Sequence, residues 1–197
     1  MMKANVVTVA FAIAWFLLPL GAPADHIKIE NRQFDHEFRR HGITLQISGA
    51  GLQRFLGIFK VYVGALYLPG DVTADQVLED IPKRLEVEYL RAVRAEDISW
   101  VADRTMAENM DARTMERLRQ RLDQYNTAYQ DMQAGDRASM TYFPGKGTEL
   151  TVNGQVKGII EGADFAEALF ALWLGPRPFD RALKQQLLGL RYGAAAR

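Results

Sequence analysis

Arg54, Lys60 and Tyr62 lie at even spacing in "LQRFLGIFKVYVGALYL", Leu52 to Leu68. On a regular strand they share one face with Leu56, Ile58, Leu66 and Leu68. A guanidinium, an amine and a phenol set in an apolar wall suit an amphipathic ligand with an acidic or phenolic head. The polar groups would orient it and the wall would supply affinity. The competing reading puts Arg54 and Lys60 at a wet edge and Tyr62 in the core. A bulge in the strand would reverse the parity.

Two other stretches invite a chemical reading and lose it on inspection. "PGKGT", Pro144 to Thr148, has the glycines, lysine and threonine of a phosphate-binding loop. That loop needs a glycine five residues before the Gly-Lys pair and a Ser or Thr directly after the lysine. Met140 and Gly147 occupy those positions. The loop should also open a helix, whereas "ELTVNGQVKGII" follows, with the hairpin dipeptide Asn153-Gly154 between two alternating runs. His26, His36 and His41 cluster near the start, but spacings of ten and five match no metal-ligand pattern. No metal or cofactor is expected. No serine stands in a nucleophile elbow, and the chain has no cysteine. That excludes disulfides, thiolate metal sites and thiol catalysis.

The elements that position these groups belong to one mature domain. The 197 residues are 48% hydrophobic and 24% charged, a globular balance with enough length for a core. Lys plus Arg equals Asp plus Glu at 24 each, so net charge gives no reason to expect nucleic acid. "MMKANVVTVAFAIAWFLLPLGAPADH" places Lys3 before the apolar run Val6 to Leu20, then Ala22-Pro23-Ala24. This reads as a secretory signal, residues 1–24, cleaved after Ala24. The run is shorter than the roughly 20 residues of a spanning helix; the alternative is an uncleaved anchor. The mature domain, residues 25–197, is then periplasmic or secreted, with no membrane span. Its oligomeric state cannot be read from the sequence.

Within it, "GITLQISGAG" reads as a strand ending in a turn at Gly49 and Gly51, and Leu52 to Leu68 as a long strand. "ADQVLEDI" reads as a short helix, and "RLEVEYLRAV" as a strand with one wet face. Two amphipathic helices follow, the second capped at Gly135. "ASMTYF", "TELTV" and "QVKGII" read as three antiparallel strands. The end is helical, with Asp164 and Asp180 as caps. Strands under a helical layer make an α+β domain.

"GAGLQRFLGIFKVYVGALYLP", "YFPGKGTELTVNGQVKGIIEGADFAEALFALWLG" and "PRPFDRALKQQLLG" together resemble the bacterial exported chalcone isomerase-like proteins, over Leu45 to Gly189. The resemblance implies an antiparallel sheet covered by helices, with a ligand cleft between them. It also implies a family that contains flavonoid isomerases and fatty-acid-binding proteins. The arginine that binds phenolate in the plant enzymes falls on Gln53, with Arg54 next. The strand threonine falls on Tyr62, the helix tyrosine near Ala102, and its asparagine on Asn109. The late hydroxyl falls on Leu172, followed by Trp173. Glutamine cannot replace a permanent cation that stabilises phenolate.

The expectation is therefore non-catalytic binding of an amphipathic small molecule: a fatty acid, a phenolic or a tetrapyrrole. Its candidate lining is Gln53, Arg54, Lys60, Tyr62, Ala102, Asn109, Leu172 and Trp173. Tyr62 is the candidate haem ligand. The alternative is an intramolecular lyase on another substrate, with Arg54, Tyr62 and Asn109 as weak catalytic candidates. A third reading is a scaffold whose cleft is filled by its own side chains.

Overall fold

The computed structural model describes residues 26–189; the expected signal and its cleavage point lie outside them. Three short strands, β1 (His26–Ile29), β2 (Arg32–Asp35) and β3 (Glu37–Arg40), precede the long β4 (Ile43–Phe55) and β5 (Phe59–Leu68). After β6 (Lys83–Tyr89) come helices α1 (Ala95–Asn109) and α2 (Ala112–Ala128). Strands β7 (Arg137–Phe143), β8 (Gly147–Val152) and β9 (Gln155–Ile160) lead to α3 (Ala163–Leu174) and α4 (Arg181–Leu187). β3 to β9 form one antiparallel sheet in chain order, and β1–β2 is a separate hairpin. The α+β class is as expected.

Strand alternation gives the sheet two faces. Leu66, Leu85, Val87, Met140 and Leu150 point at the helices and join Leu118, Phe165, Leu169 and Leu183 in the main core. On the other face Leu52, Val63, Ala65 and Tyr67 pack under Phe34 of the β1–β2 hairpin. Further across that face, on β6 to β8, the residues are polar. Glu86 and Glu88 alternate with the apolar set as expected, yet their face is not wet. Arg137 Nη1 donates to Glu86 at 2.7 Å, its Nη2 donates to Glu88 at 2.6 Å, and Arg32 lies 3.1 Å from Glu88. Arg40 closes on the buried Glu149 at 2.5 Å. Ion pairing, not water, satisfies these carboxylates.

Local readings differ at five points. β4 does not stop at Gly49 and Gly51. It runs through them, because the missing side chains let α4 lie on the strand: a Cβ on Gly49 would be 2.7 Å from the Leu187 carbonyl oxygen. Gln186 Oε1 there accepts from Leu52 N at 3.0 Å. The long strand from Leu52 is instead two strands joined by a tight turn at Leu56 and Gly57, both with positive φ. Residues 74–81 form successive turns rather than a helix. Gln76 Oε1 accepts from Thr73 Oγ1 at 2.8 Å and locks one of these turns. α2 ends at Ala128, well before Gly135, because Met132 exchanges two backbone hydrogen bonds of 2.9 Å with Val93. Gly162 rather than Asp164 caps α3; Asp164 instead holds Arg121 in a two-pronged pair at 2.6 and 2.8 Å. Asp180 caps α4 as expected.

Lys83 is a cation on the apolar face. It is fully buried, donates to the Glu79 carbonyl at 2.6 Å, and lies over the Tyr142 and Phe170 rings. Burial lowers its pKa to about 8. The unfolded lysine, with its pKa near 10.5, holds its proton more firmly, so unfolding takes up a proton between those values. Stability should therefore rise with pH, by about 1 kcal/mol from pH 8 to 9. Above that the buried tyrosines reverse the trend, since folding holds their phenols protonated. Denaturant melts of the wild type should show this rise, and Lys83→Met should abolish it.

Candidate functional site

A cavity of about 1060 Å³ lies between the sheet and α1–α3. That is at the upper end of the range for small-molecule sites. Its floor is aromatic. Trp173 on α3 donates from Nε1 to the Tyr62 hydroxyl on β5 at 2.8 Å, and the Tyr62 ring meets Tyr89 edge-on at 5.8 Å. Tyr129 stacks edge-on with Tyr125 at 5.4 Å and donates to Met140 Sδ at 3.8 Å. It also takes side-chain hydrogen bonds from Tyr89 and Tyr125. Burial raises all four phenols above their ordinary pKa. They are neutral hydroxyls at physiological pH.

The mouth is different. Every charged residue that lines the cavity is exposed: Arg54, Arg91, Arg94, Asp97, Arg104, Glu108 and Asp131. Arg94 pairs with Asp97 at 3.0 Å and Arg104 with Glu108 at 3.5 Å. Arg54 and Arg91 have no carboxylate partner among the described residues. Polarity is thus graded: charged groups of both signs at the opening, Arg54 and Arg91 among them, and a wall of Val87, Ala102, Leu172 and neutral hydroxyls within.

Six of the eight residues picked from the sequence line this cavity: Gln53, Arg54, Tyr62, Ala102, Leu172 and Trp173. Lys60 does not. The register passes from Gln53 opposite Tyr62 to Arg54 opposite Lys60, leaving Val61 as an extra residue. This bulge turns Lys60 to the other sheet face, where it meets Glu30 at 2.6 Å. Asn109 is also outside the lining. Its Nδ2 donates to the Thr105 and Arg177 carbonyls at 2.8 and 2.7 Å, and its Oδ1 accepts from Arg177 N at 3.0 Å. It pins the end of α1 to the α3–α4 connection. Gln53 spends its amide on the Arg54 carbonyl at 3.0 Å. Sequence reasoning missed Tyr89, Tyr125 and Tyr129, whose spacing read only as helix and strand core.

No group of three or more His, Asp or Glu among the described residues is placed to hold a metal. His26 pairs with Asp35 at 2.9 Å, and His41 packs on the Phe143 ring. "PGKG" is the β7–β8 turn, with Gly145 and Gly147 at positive φ.

The sequence profile of chalcone isomerase-like proteins matches residues 26–189. The chain belongs to the chalcone isomerase-like family. Among solved structures, a fatty-acid binding protein of Arabidopsis thaliana superposes with a TM-score of 0.66. The two are 13% identical, and the match covers 87% of this chain and 99% of that one. At that identity the likeness is one of fold: the helix-covered antiparallel sheet is shared. The search of curated proteins gives no match.

Proposed function

We propose that this chalcone isomerase-like protein binds an amphipathic small molecule without converting it, and that the ligand is a fatty acid or similar single-chain acid. The observation that carries this is the polarity gradient of the cavity, with unpaired Arg54 and Arg91 at the mouth and an uncharged apolar and aromatic interior. An anionic head at the mouth keeps its hydration and gains two cations, while its chain takes the dry interior. The printed name of the Arabidopsis structure, a fatty-acid binding protein, supports the same class. A haem bound through Tyr62 fits less well, because that hydroxyl oxygen is already engaged by Trp173 Nε1 at 2.8 Å. Intramolecular lyase chemistry also lacks support, since the interior offers no cation to hold a phenolate. The apolar run and small residues before Asp25 support export to the periplasm or medium.

The test is a titration of the purified protein with palmitate, displacing a fluorescent fatty acid. Ala102→Trp, which places an indole in the cavity from α1, should weaken binding by more than tenfold, with the melting temperature measured alongside to show that the variant folds. Full affinity in that variant would rule the cavity out as the site. An isomer has the same mass as its substrate, so ligand recovered after incubation is compared by chromatographic retention. A new peak would favour the lyase.

A further inference from the structure

The cavity mouth is framed by apolar side chains in contact with water. Of the eight large hydrophobic residues exposed among the described residues, six are here: Phe55, Leu56, Ile58 and Phe59 on the β4–β5 turn, and Trp100 and Val101 on α1. Leu56 and Ile58 are 73% and 74% exposed, and Trp100 is 63% exposed. Exposed apolar residues are ordinarily scattered; a cluster of this kind marks a contact surface. The turn itself argues the same way. Leu56 has φ 50° and Gly57 φ 70°, a conformation that favours Asn-Gly and costs a branched residue about 1 kcal/mol. A leucine held there with its side chain in water serves neither the turn nor the core.

We infer that the Phe55–Phe59 tip and the Trp100 face of α1 dock on the surface of a lipid bilayer that carries anionic headgroups. The tip is apolar on both faces of the ribbon, since Phe55, Leu56, Ile58 and Phe59 are consecutive except for Gly57. A protein groove would cover one face of such a ribbon; hydrocarbon covers both. Arg91 lies over the Phe59 ring at 5.8 Å and Arg104 over Trp100 at 5.6 Å. Aromatic rings flanked by guanidinium groups are the composition of a membrane–water boundary. Arg54 and Arg91, without carboxylate partners, supply the charge that meets anionic headgroups. The rim is thus apolar, and its four arginines against three carboxylates leave Arg54 and Arg91 as the cations not paired off among the described residues. Five of the six exposed residues, all but Ile58, also line the cavity. Docking therefore sets its opening against the bilayer, so that an acyl chain passes between the two without crossing water. That purpose rests on the ligand proposal, whereas docking itself does not, and it is tested without added ligand.

The test is hydrogen–deuterium exchange of the full chain with vesicles of phosphatidylcholine, with and without about one-third phosphatidylglycerol. Exchange reads each segment separately, so attachment through the apolar residues before Asp25 is not mistaken for docking of the tip. Residues 55–59 and 97–104 should gain protection on the anionic vesicles. Leu56→Asn/Ile58→Ser should keep the melting temperature, because both side chains are in water and Asn accepts positive φ. It should weaken vesicle affinity at least tenfold and remove that protection. Arg54→Gln and Arg91→Gln should each cost roughly fivefold on the anionic vesicles and nothing on pure phosphatidylcholine. Three results would overturn the inference. They are no protection of the two segments, protection unchanged in the double variant, and protection that grows with protein concentration without vesicles. The last would mean a second copy covers the rim.

Discussion

Gly147→Ala should destabilise the protein by about 4 kcal/mol and lower its melting temperature by roughly 8–16 °C. Gly147 opens β8 with φ 110°, in a region that side chains rarely enter. A Cβ there would lie inside contact distance of the Ile160 carbonyl oxygen and 2.9 Å from Glu161 Cα. Both are backbone atoms of the next strand's end, so no rotamer relieves the overlap. Strain and overpacking act together. The neighbouring Gly145 separates the two causes. It has φ 75° and open space around its Cβ position, so Gly145→Ala should cost only about 1–2 kcal/mol. Equal losses in the two variants would mean that φ alone matters. Of the glycines that suggested a phosphate loop, Gly145 thus serves the turn and Gly147 the close passage of β8 under the end of β9.

Arg137→Met should cost about 3 kcal/mol at neutral pH. Its guanidinium joins Glu86 and Glu88 and donates to the Gln33 carbonyl at 2.6 Å. The two carboxylates are only 14% and 9% exposed. Removing the cation leaves Arg84 and Arg32 to offset them, each on one side only. The second variant, Arg137→Met/Glu88→Gln, should recover more than half of the loss, because the harm lies in the stranded charge. Chemical denaturation of both variants checks this. No recovery would show that Arg137 acts by packing on the Phe34 ring and not by charge.

What could be read from the sequence follows from where local signals and tertiary packing agree. Asn153-Gly154 has positive φ at both residues, as its chemistry demands. β7 to β9 therefore stand where alternation puts them. Asp180 caps α4 through two backbone amides for the same local reason. The β4–β5 turn defeated the pattern because Phe55-Leu56-Gly57-Ile58-Phe59 contains no polar turn residue. Its composition answers to an outside surface, and strand propensity cannot tell that from burial. A bulge that reverses the parity is an open alternative in the sequence, but nothing there places it; it leaves Val61 unpaired and so decides the fate of Lys60. Gly49 and Gly51 looked like a turn because a close helix approach leaves no mark in neighbouring residues. The cavity candidates were legible mainly as family positions, and the tyrosine floor was not.

The bridge between Val93 and Met132 gives the helical layer an unusual standing toward the sheet. Residues 90–136 leave the end of β6 and return to the start of β7, and the two backbone bonds at that neck bring their ends together. For the pairing of β6 with β7 the whole α1–α2 excursion counts as a loop already closed. Changing its length adds little closure entropy to the sheet, since that term grows only with the logarithm of length. The register of the sheet and the helical roof are thus set separately, although Tyr125 and Tyr129 of the excursion still belong to the cavity floor. Helices of another length or bulk can be grafted at the neck, and the chamber resized, while every strand keeps its register.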